Sequence, residues 1–421
     1  MKIAGILTIG DELLQGFTVN SNAAKISMIL TKRNISVKIH LTVPDNIEKI
    51  KEKIDKFISK DYDFVIITGG LGPTHDDVTK KALSELFTSK LKFYKSWDLK
   101  LQERYRGSKL KHKISKCQSE ILDNSVPLEN NNGTALGMSI ISKKSNIIVL
   151  PGVPIEMEDM LLNYLNSNDI KEVNDNIVTI NTTGIHETKL SSMIYNIIND
   201  NKIDFTFSFL PSESGVKIRI SSITDKIEDE ILIGDILFLN KDNRIINIKN
   251  KIKSIVSDYA YSEGNITLEE TVANLLIKNK YNLSIAESCT GGLISKSLTD
   301  IPDASLFFNG SVVAYNNKIK QNFLNIQKNI IEEKGAVSSE VSKLMAINIA
   351  NKFSSNIGIS CTGISGPEGG TLKKPVGLVY ISIYFLGKII TKKFIFVADR
   401  NLHRIKTKQA SLYMLWKLLI N

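Results

Sequence analysis

Four short apolar runs in this chain end abruptly in loops of glycine, proline and small polar residues. They are DFVIITGGLGPTHDD (63–77), SNIIVLPGVP (145–154), LSIAESCTGG (283–292) and NIGISCTGISGPEGG (356–370). An apolar run of this length that stops at glycine reads as a buried strand entering a tight turn. Helical patterns follow the first three. Between the runs lie further strands (3–9 and 37–43) and amphipathic stretches (21–30 and 47–58), the latter with Ile47, Ile50, Ile54, Phe57 and Ile58 on one face. Strands alternating with helices at this spacing build a mostly parallel sheet covered by helices on both faces. Ligands of such sheets bind at the carboxyl ends of the strands, where these loops lie.

At 421 residues the chain has material for two or three domains. The N-terminal run is broken by Gly10, Asp11 and Glu12, so it reads as a core strand rather than a secretory signal. No apolar run approaches the length that spans a bilayer. Three widely spaced cysteines, Cys117, Cys289 and Cys361, make neither a disulfide framework nor a metal cluster. The expected location is cytoplasmic, with no membrane partner. A net charge of +10 raises nucleic acid as a partner. The excess is spread along a chain rich in Ile, Asn and Lys, however. The densest basic stretch, Lys95 to Lys116 with Tyr94, Trp97 and Tyr105 interleaved, reads as a solvated helical face. Nucleic acid is therefore not the expected partner.

In the first third, polar groups converge on strand ends: Asp11 and Glu12, then Asp45, then the loop from Gly69 to Asp77. Gly69, Gly70 and Gly72 let the backbone approach a phosphate, with Thr74 beside them. Carboxylates next to a phosphate cradle need a divalent cation between them and the substrate. Mg²⁺ or a similar ion held by Glu12, Asp45 and Asp77 is the economical arrangement. Asp76 serves equally well as a helix cap. NNNGTALG (130–137) adds Asn130, Gly133 and Thr134 as further binding residues.

TIGDELLQG, TGGLGPTHDDVT, NNNGTALG and PGVPIEM, in that order, resemble the molybdopterin-binding (MoCF-type) domain at the front of the CinA family. The resemblance spans about residues 1–165. It implies a nucleotide-handling domain with metal-dependent ADP-ribose pyrophosphatase activity, and by motif it carries the acidic roles onto Glu12, Asp45 and Asp77. Asn20 stands where Asp is common, and Leu136 where Pro is usual. Residues 176–250 read as a small α+β module resembling the middle domain of full-length CinA proteins. His186 and Glu187 there read as a helix start. SDYAYSEGN (257–265) reads as a linker.

In the last third, Ser288 sits at a strand-to-helix turn whose Thr290, Gly291 and Gly292 place N–H groups near a developing oxyanion. A nucleophile there needs a base. His403 lies on a Lys/Arg-rich helix and Glu287 is adjacent in sequence, so both are poor candidates. Lys320, at the mouth of the strand before it, suits the task if burial lowers its pKa. Tyr315 is placed to relay the proton or hold the nucleophile. Cys289 remains a rival nucleophile from the residues alone. IAESCTGGL, VAYNNKIK, GAVS, TGISGPEGG, KPVGLVY and DR resemble the CinA C-terminal domain over about 263–421. That domain is the nicotinamide mononucleotide (NMN) deamidase and uses no cofactor. The resemblance implies Ser288 as nucleophile, Lys320 as base and Tyr315 as their partner. Gly363, Gly366, Gly369 and Arg400 would hold the nucleotide. Ser365, where Ala is usual, and Cys361 are departures from the pattern that are expected to be harmless.

The expected architecture is thus α/β: two three-layer α/β domains (1–170 and 263–421) joined by a small α+β domain (171–255). The expected activities are amide hydrolysis of NMN and pyrophosphate hydrolysis of ADP-ribose, by a homodimer. Two alternatives stand beside this: a nucleotide- or molybdopterin-binding protein without turnover, and a DNA-uptake or repair accessory.

Overall fold

The computed structural model describes residues 2–107, 116–172, 177–212, 214–223, 236–397 and 399–420. The stretch 108–115 of the basic segment lies outside them. The chain divides into two compact units, Met1–Asn174 and Asp175–Asn421.

The first unit contains β1 (Lys2–Ile9), β2 (Ile35–Val43), β3 (Phe64–Thr68), β4 (Leu91–Phe93), β5 (Glu120–Leu122), β6 (Val126–Leu128), β7 (Gly137–Ser142) and β8 (Ser145–Leu150). Its main sheet runs β2-β1-β3-β8-β7-β6. The first four strands are parallel, and β7 and β6 return antiparallel. Successive side chains of a strand face opposite ways, and both faces here are apolar. Leu7, Ile9, Val65 and Ile67 meet helices Ile47–Ser59 and Thr79–Leu86, while Ala4, Ile6, Phe64 and Ile66 meet Ser21–Thr31 and Pro154–Ser167. That is why these strands read as near-continuous apolar runs. Asn20 caps the helix Ser21–Thr31 by accepting from Ala23 N, and its amide donates to Thr8 Oγ1 and Thr42 Oγ1. An Asp could accept but not donate there, so the departure at residue 20 has a structural use.

The described basic residues of this stretch are exposed, as a solvated helical face requires, and the helix is anchored from its other side. In helix Lys95–Arg104, Trp97 and Leu101 are buried in the core, an apolar pair at i, i+4 among charged neighbours. Arg104 lies over the Trp97 ring, 5.4 Å from its centroid, and donates to the carbonyls of Asn130 and Gly133.

The second unit begins with β9 (Ile177–Thr182), β10 (Phe205–Ser212), β11 (Gly215–Ser222) and β12 (Ala260–Glu263), an antiparallel sheet in the order β10-β11-β9-β12. Its core includes Ile180, Phe205, Ile218 and Ile220 with Ile245, Ile248 and Ile252 of helix Ile236–Ile255. Then follow β13 (Leu283–Glu287), β14 (Phe308–Val313), β15 (Ile357–Gly363), β16 (Leu378–Phe385) and β17 (Lys388–Ile395), ordered β14-β13-β15-β16-β17. β14, β13 and β15 are parallel, and the other two antiparallel. Helices Leu268–Asn279 and Arg400–Ile420 cover one face, and Ser339–Lys352 the other. The α/β expectation is met: both large sheets are parallel at the centre with helices on both faces. No described helix is long and apolar enough to cross a membrane.

Candidate active sites

The carboxyl ends of β13 and β15 lie side by side, and the Ser288 N–H donates to the Cys361 carbonyl across them (3.0 Å). The chain then turns through Gly291 (φ 60°) and Gly292 (φ 94°), conformations that glycine adopts without a Cβ penalty. Glu287 holds this turn. Fully buried, its carboxylate accepts from Thr290 Oγ1 (2.6 Å), Gly292 N (2.9 Å), Ile294 N (3.1 Å), Ser295 N (2.8 Å) and Ser295 Oγ (2.5 Å). The donors at the start of helix Leu293–Thr299 are therefore spent on Glu287 and not on a ligand. Among the described hydrogen bonds, the N–H groups of Cys289 and Thr290 have no main-chain acceptor, and the Cys289 N–H faces its own thiol. Arg404 forks onto the Thr290 carbonyl through Nε (3.1 Å) and Nη2 (2.8 Å) and fixes that peptide. Sequence reasoning missed Arg404, although its i, i+4 spacing from Arg400 puts both on one helix face. Replacing Glu287 with Ala strips partners from three buried N–H groups. We expect a loss of stability on the order of 3 kcal/mol in urea unfolding; an unchanged midpoint would mean that the turn holds without the carboxylate.

Lys320, on helix Asn317–Asn322, is 1% exposed. Its Nζ lies 3.2 Å from Ser288 Oγ, 2.5 Å from the Ala314 carbonyl and 3.1 Å from the Tyr315 carbonyl. Burial pushes its pKa down to about 8, against the smaller opposing influence of Cys289 and Cys361. A neutral amine has two N–H donors and one lone pair. The two carbonyls can accept only, so they take both donors, and the lone pair is left for the Ser288 hydroxyl. This is the arrangement a general base requires. The Cys289 thiol is also buried. Its partnership with Cys361 and its burial push the pKa well above the ordinary thiol range, which keeps it protonated and unreactive.

Tyr315 is used otherwise than expected. Its hydroxyl accepts from Arg400 Nη2 (2.8 Å), so it is engaged away from Ser288, and only its main-chain carbonyl reaches Lys320. Arg400 also donates from Nη1 to the Gly366 carbonyl (2.9 Å), tying the 363–370 loop to the helix that begins at residue 400. A cavity of about 200 Å³ opens between these groups, lined by Ser288, Cys289, Tyr315, Lys320, Gly363 and Arg400 together with Asn317, Ala336, Val337, Thr362 and Ser365. Thr290, Gly291, Gly292, Gly366 and Gly369 do not line it. Thr290 is buried with its hydroxyl on Glu287, and Gly369 borders a separate, open groove formed by 367–376. These residues shape the loops and do not face the cavity.

The first unit has a larger cavity, about 460 Å³, at the carboxyl ends of its strands. Gly69, Gly70, Gly72 and Thr134 line it, as do Glu12, Asp45, Asp76 and Asp77. A Cβ on Gly69 (φ 108°) would stand 2.2 Å from the Ile9 carbonyl oxygen, and one on Gly70 (φ 66°) 2.2 Å from Thr79 Oγ1. No side chain fits at either place. Thr74, Asn130 and Gly133 do not line the cavity. Asn130, fully buried, donates to the Ala135 carbonyl and Glu156 Oε2, and accepts from Asn132 N and Gly133 N. It sets the shape of the loop that delivers Thr134. Glu156 lines the cavity and was not foreseen.

The expected metal triad needs correction. Asp77 turns both oxygens onto its own loop, accepting from Gly72 N (2.8 Å), Thr74 N (2.8 Å) and Thr74 Oγ1 (2.5 Å). Among the described residues no group of three or more His, Cys, Asp or Glu side chains is placed to hold a metal ion. What does converge is Asp45, whose carboxyl is pushed up first by burial, and further by the charges of Asp11, Glu12 and Asp76. Crowded carboxylates are hard oxygen donors, and Mg²⁺ that arrives with a polyphosphate needs only one or two of them. Asp45 and Glu12 fit that role, and Asp77 is spent on the loop.

Comparison with known proteins adds the following. Residues 5–169 match the family described as "Probable molybdopterin binding domain", and residues 265–419 the family described as "CinA C-terminal domain". A CinA-like protein of Dictyoglomus thermophilum is 37% identical over 99% of this chain and 99% of its own. A CinA-like protein of Pseudothermotoga lettingae is 36% identical over the whole of both. The crystal structure of the competence damage-inducible protein A (ComA) from Klebsiella pneumoniae is 30% identical over 37% of this chain and 96% of that one, with a TM-score of 0.36.

Proposed function

The chain belongs to the CinA family, and from that premise we propose that it is a hydrolase of pyridine nucleotides whose C-terminal domain deamidates NMN. The observation that carries this reading is the pairing of Ser288 Oγ with the buried Lys320 Nζ at 3.2 Å. In this mechanism Ser288 Oγ attacks the carboxamide carbon and its proton passes to Lys320. The main-chain N–H of Cys289, which borders the cavity beside Ser288, holds the oxyanion. Lys320 then returns the proton to the departing nitrogen, which leaves as ammonia, and an ester to Ser288 remains. Water, deprotonated by Lys320, cleaves the ester and releases the nicotinate nucleotide. Arg400 faces the phosphate with the N–H groups left over from Gly366 and Tyr315. Ammonia release from NMN by the purified protein tests the reading, and none from a folded protein would sink it.

For the N-terminal domain we propose hydrolysis of the ADP-ribose pyrophosphate. The 69–72 loop takes the phosphates, and Asp45 and Glu12 are the residues that would hold an Mg²⁺ ion arriving with the substrate. When bound, that ion would neutralise phosphate charge and favour attack by water. EDTA should abolish ADP-ribose cleavage, leave ammonia release unchanged, and be reversed by added Mg²⁺. One observation favours a second reading, binding without turnover: the commitment of Asp77 to its own loop. Mg²⁺-independent retention of ADP-ribose without cleavage would support that alternative.

A further inference from the structure

Ser365 and His403 form a second polar pair in the C-terminal cavity, and the mechanism above does not use it. Ser365 Oγ lies 2.9 Å from His403 Nδ1, and both residues are buried, at 6% and 0% exposure. His403 Nε2 lies 3.1 Å from the Gly377 carbonyl. A carbonyl only accepts, so Nε2 carries a proton. Burial, assisted by the nearby Arg400 charge, lowers the His403 pKa and keeps the ring neutral. Nδ1 of that tautomer has a lone pair and no proton. The Ser365 hydroxyl must then point its hydrogen at His403, and its own lone pairs are left for the cavity that Ser365 lines. The ring cannot easily rotate away, because Phe396 packs against it with centroids 6.1 Å apart.

The Arg400 guanidinium and the Cys289 N–H are donors toward a ligand, and the donors of neutral Lys320 are already taken by two carbonyls. Ser365 is the contrasting element, a hydroxyl held as an acceptor. We propose that Ser365, oriented by His403, is a specificity residue that accepts a hydrogen bond from a ribose hydroxyl of the substrate. The assignment rests on the NMN reading above. The amide occupies the Ser288 and Lys320 end of the cavity, whereas Ser365 belongs to the loop that Arg400 ties down at Gly366, where the sugar-phosphate would lie. His403 acts through Ser365 and is a positioning residue.

The test is steady-state kinetics with NMN and its 2′-deoxy and 3′-deoxy analogues, for wild type, Ser365→Ala, His403→Leu and the double variant. Ser365→Ala should raise KM for NMN about tenfold with kcat nearly unchanged. It should leave KM for one of the two deoxy analogues at the wild-type value, since the lost partner is already missing. His403→Leu should raise KM less, and the double variant should match Ser365→Ala alone. Ser365→Thr, which keeps the hydroxyl, should restore part of the loss if His403→Leu proves poorly folded. An equal KM penalty on NMN and both analogues, or a fall in kcat at constant KM, would overturn the proposal and leave the deamidase reading intact. Absence of NMN turnover by wild type would overturn both.

Discussion

Replacing Ser288 with Ala is expected to lower ammonia release from NMN by about a thousandfold or more, with NMN binding retained within a few-fold. The change removes one oxygen from a residue that is 8% exposed, and the backbone bond from Ser288 N to Cys361 stays in place. The turn remains held by Glu287 and Arg404, neither of which touches the Ser288 side chain. The loss should therefore fall on kcat. Isothermal calorimetry with NMN separates a dead nucleophile from a collapsed site. Full activity in the variant would transfer the chemistry elsewhere, with Cys289 the nearest candidate.

The second large effect concerns Lys320. With its pKa near 8, about a tenth of the amine is neutral at pH 7. The rate at limiting substrate should rise about tenfold from pH 6 to 7, bend near pH 8, and level off above it. Lys320→Arg, whose guanidinium stays charged, should show no such limb and lose about two to four orders of magnitude. Stability moves with the same proton. The folded pKa lies below the unfolded value of 10.5, so between about pH 8 and 10.5 the unfolded chain binds more protons. Folding therefore gains stability as pH rises through that window, by about 1 kcal/mol per unit from this group. Lys320→Met should lack that slope in urea titrations. A flat pH profile in the wild type would remove Lys320 from the role of base.

The strands, helices and glycine loops were legible because burial imposes a period on the sequence. Both faces of β1, β3 and β8 are covered, and their apolar runs say so. The solvated basic face of the helix Lys95–Arg104 was legible, but its anchoring was not, because the buried stripe is only Trp97 and Leu101 among charged neighbours. Site residues were legible as a set of loops but less so one by one. Ser288 and Lys320 meet because the two strand ends are adjacent in the sheet. By contrast, which way Tyr315, Asp77 and Asn130 point depends on carbonyl and N–H positions inside turns, and residue type does not encode those. Glu287 was set aside for its neighbouring position, and that position lets it fold back under the turn it supports. His403 was set aside as the base and is paired with Ser365, which lies 38 residues away, and no local pattern links them.

The helix Arg400–Ile420 bears on how the C-terminal site is assembled during synthesis. Its first turns place Arg400 in the cavity wall, His403 behind Ser365 and Arg404 on the Thr290 carbonyl, and further along Gln409 donates to Thr183 Oγ1 and the Ser214 carbonyl of the small sheet, while Tyr413 packs on Gly184. Ser288 and Lys320 leave the ribosome long before that helix does. A nascent chain therefore carries Ser288 and Lys320 without the Arg400 guanidinium that borders the cavity and the Arg404 guanidinium that braces the Thr290 peptide. On the proposed deamidase reading, activity would belong only to chains translated through this helix, and fragments from stalled or prematurely terminated synthesis would be silent.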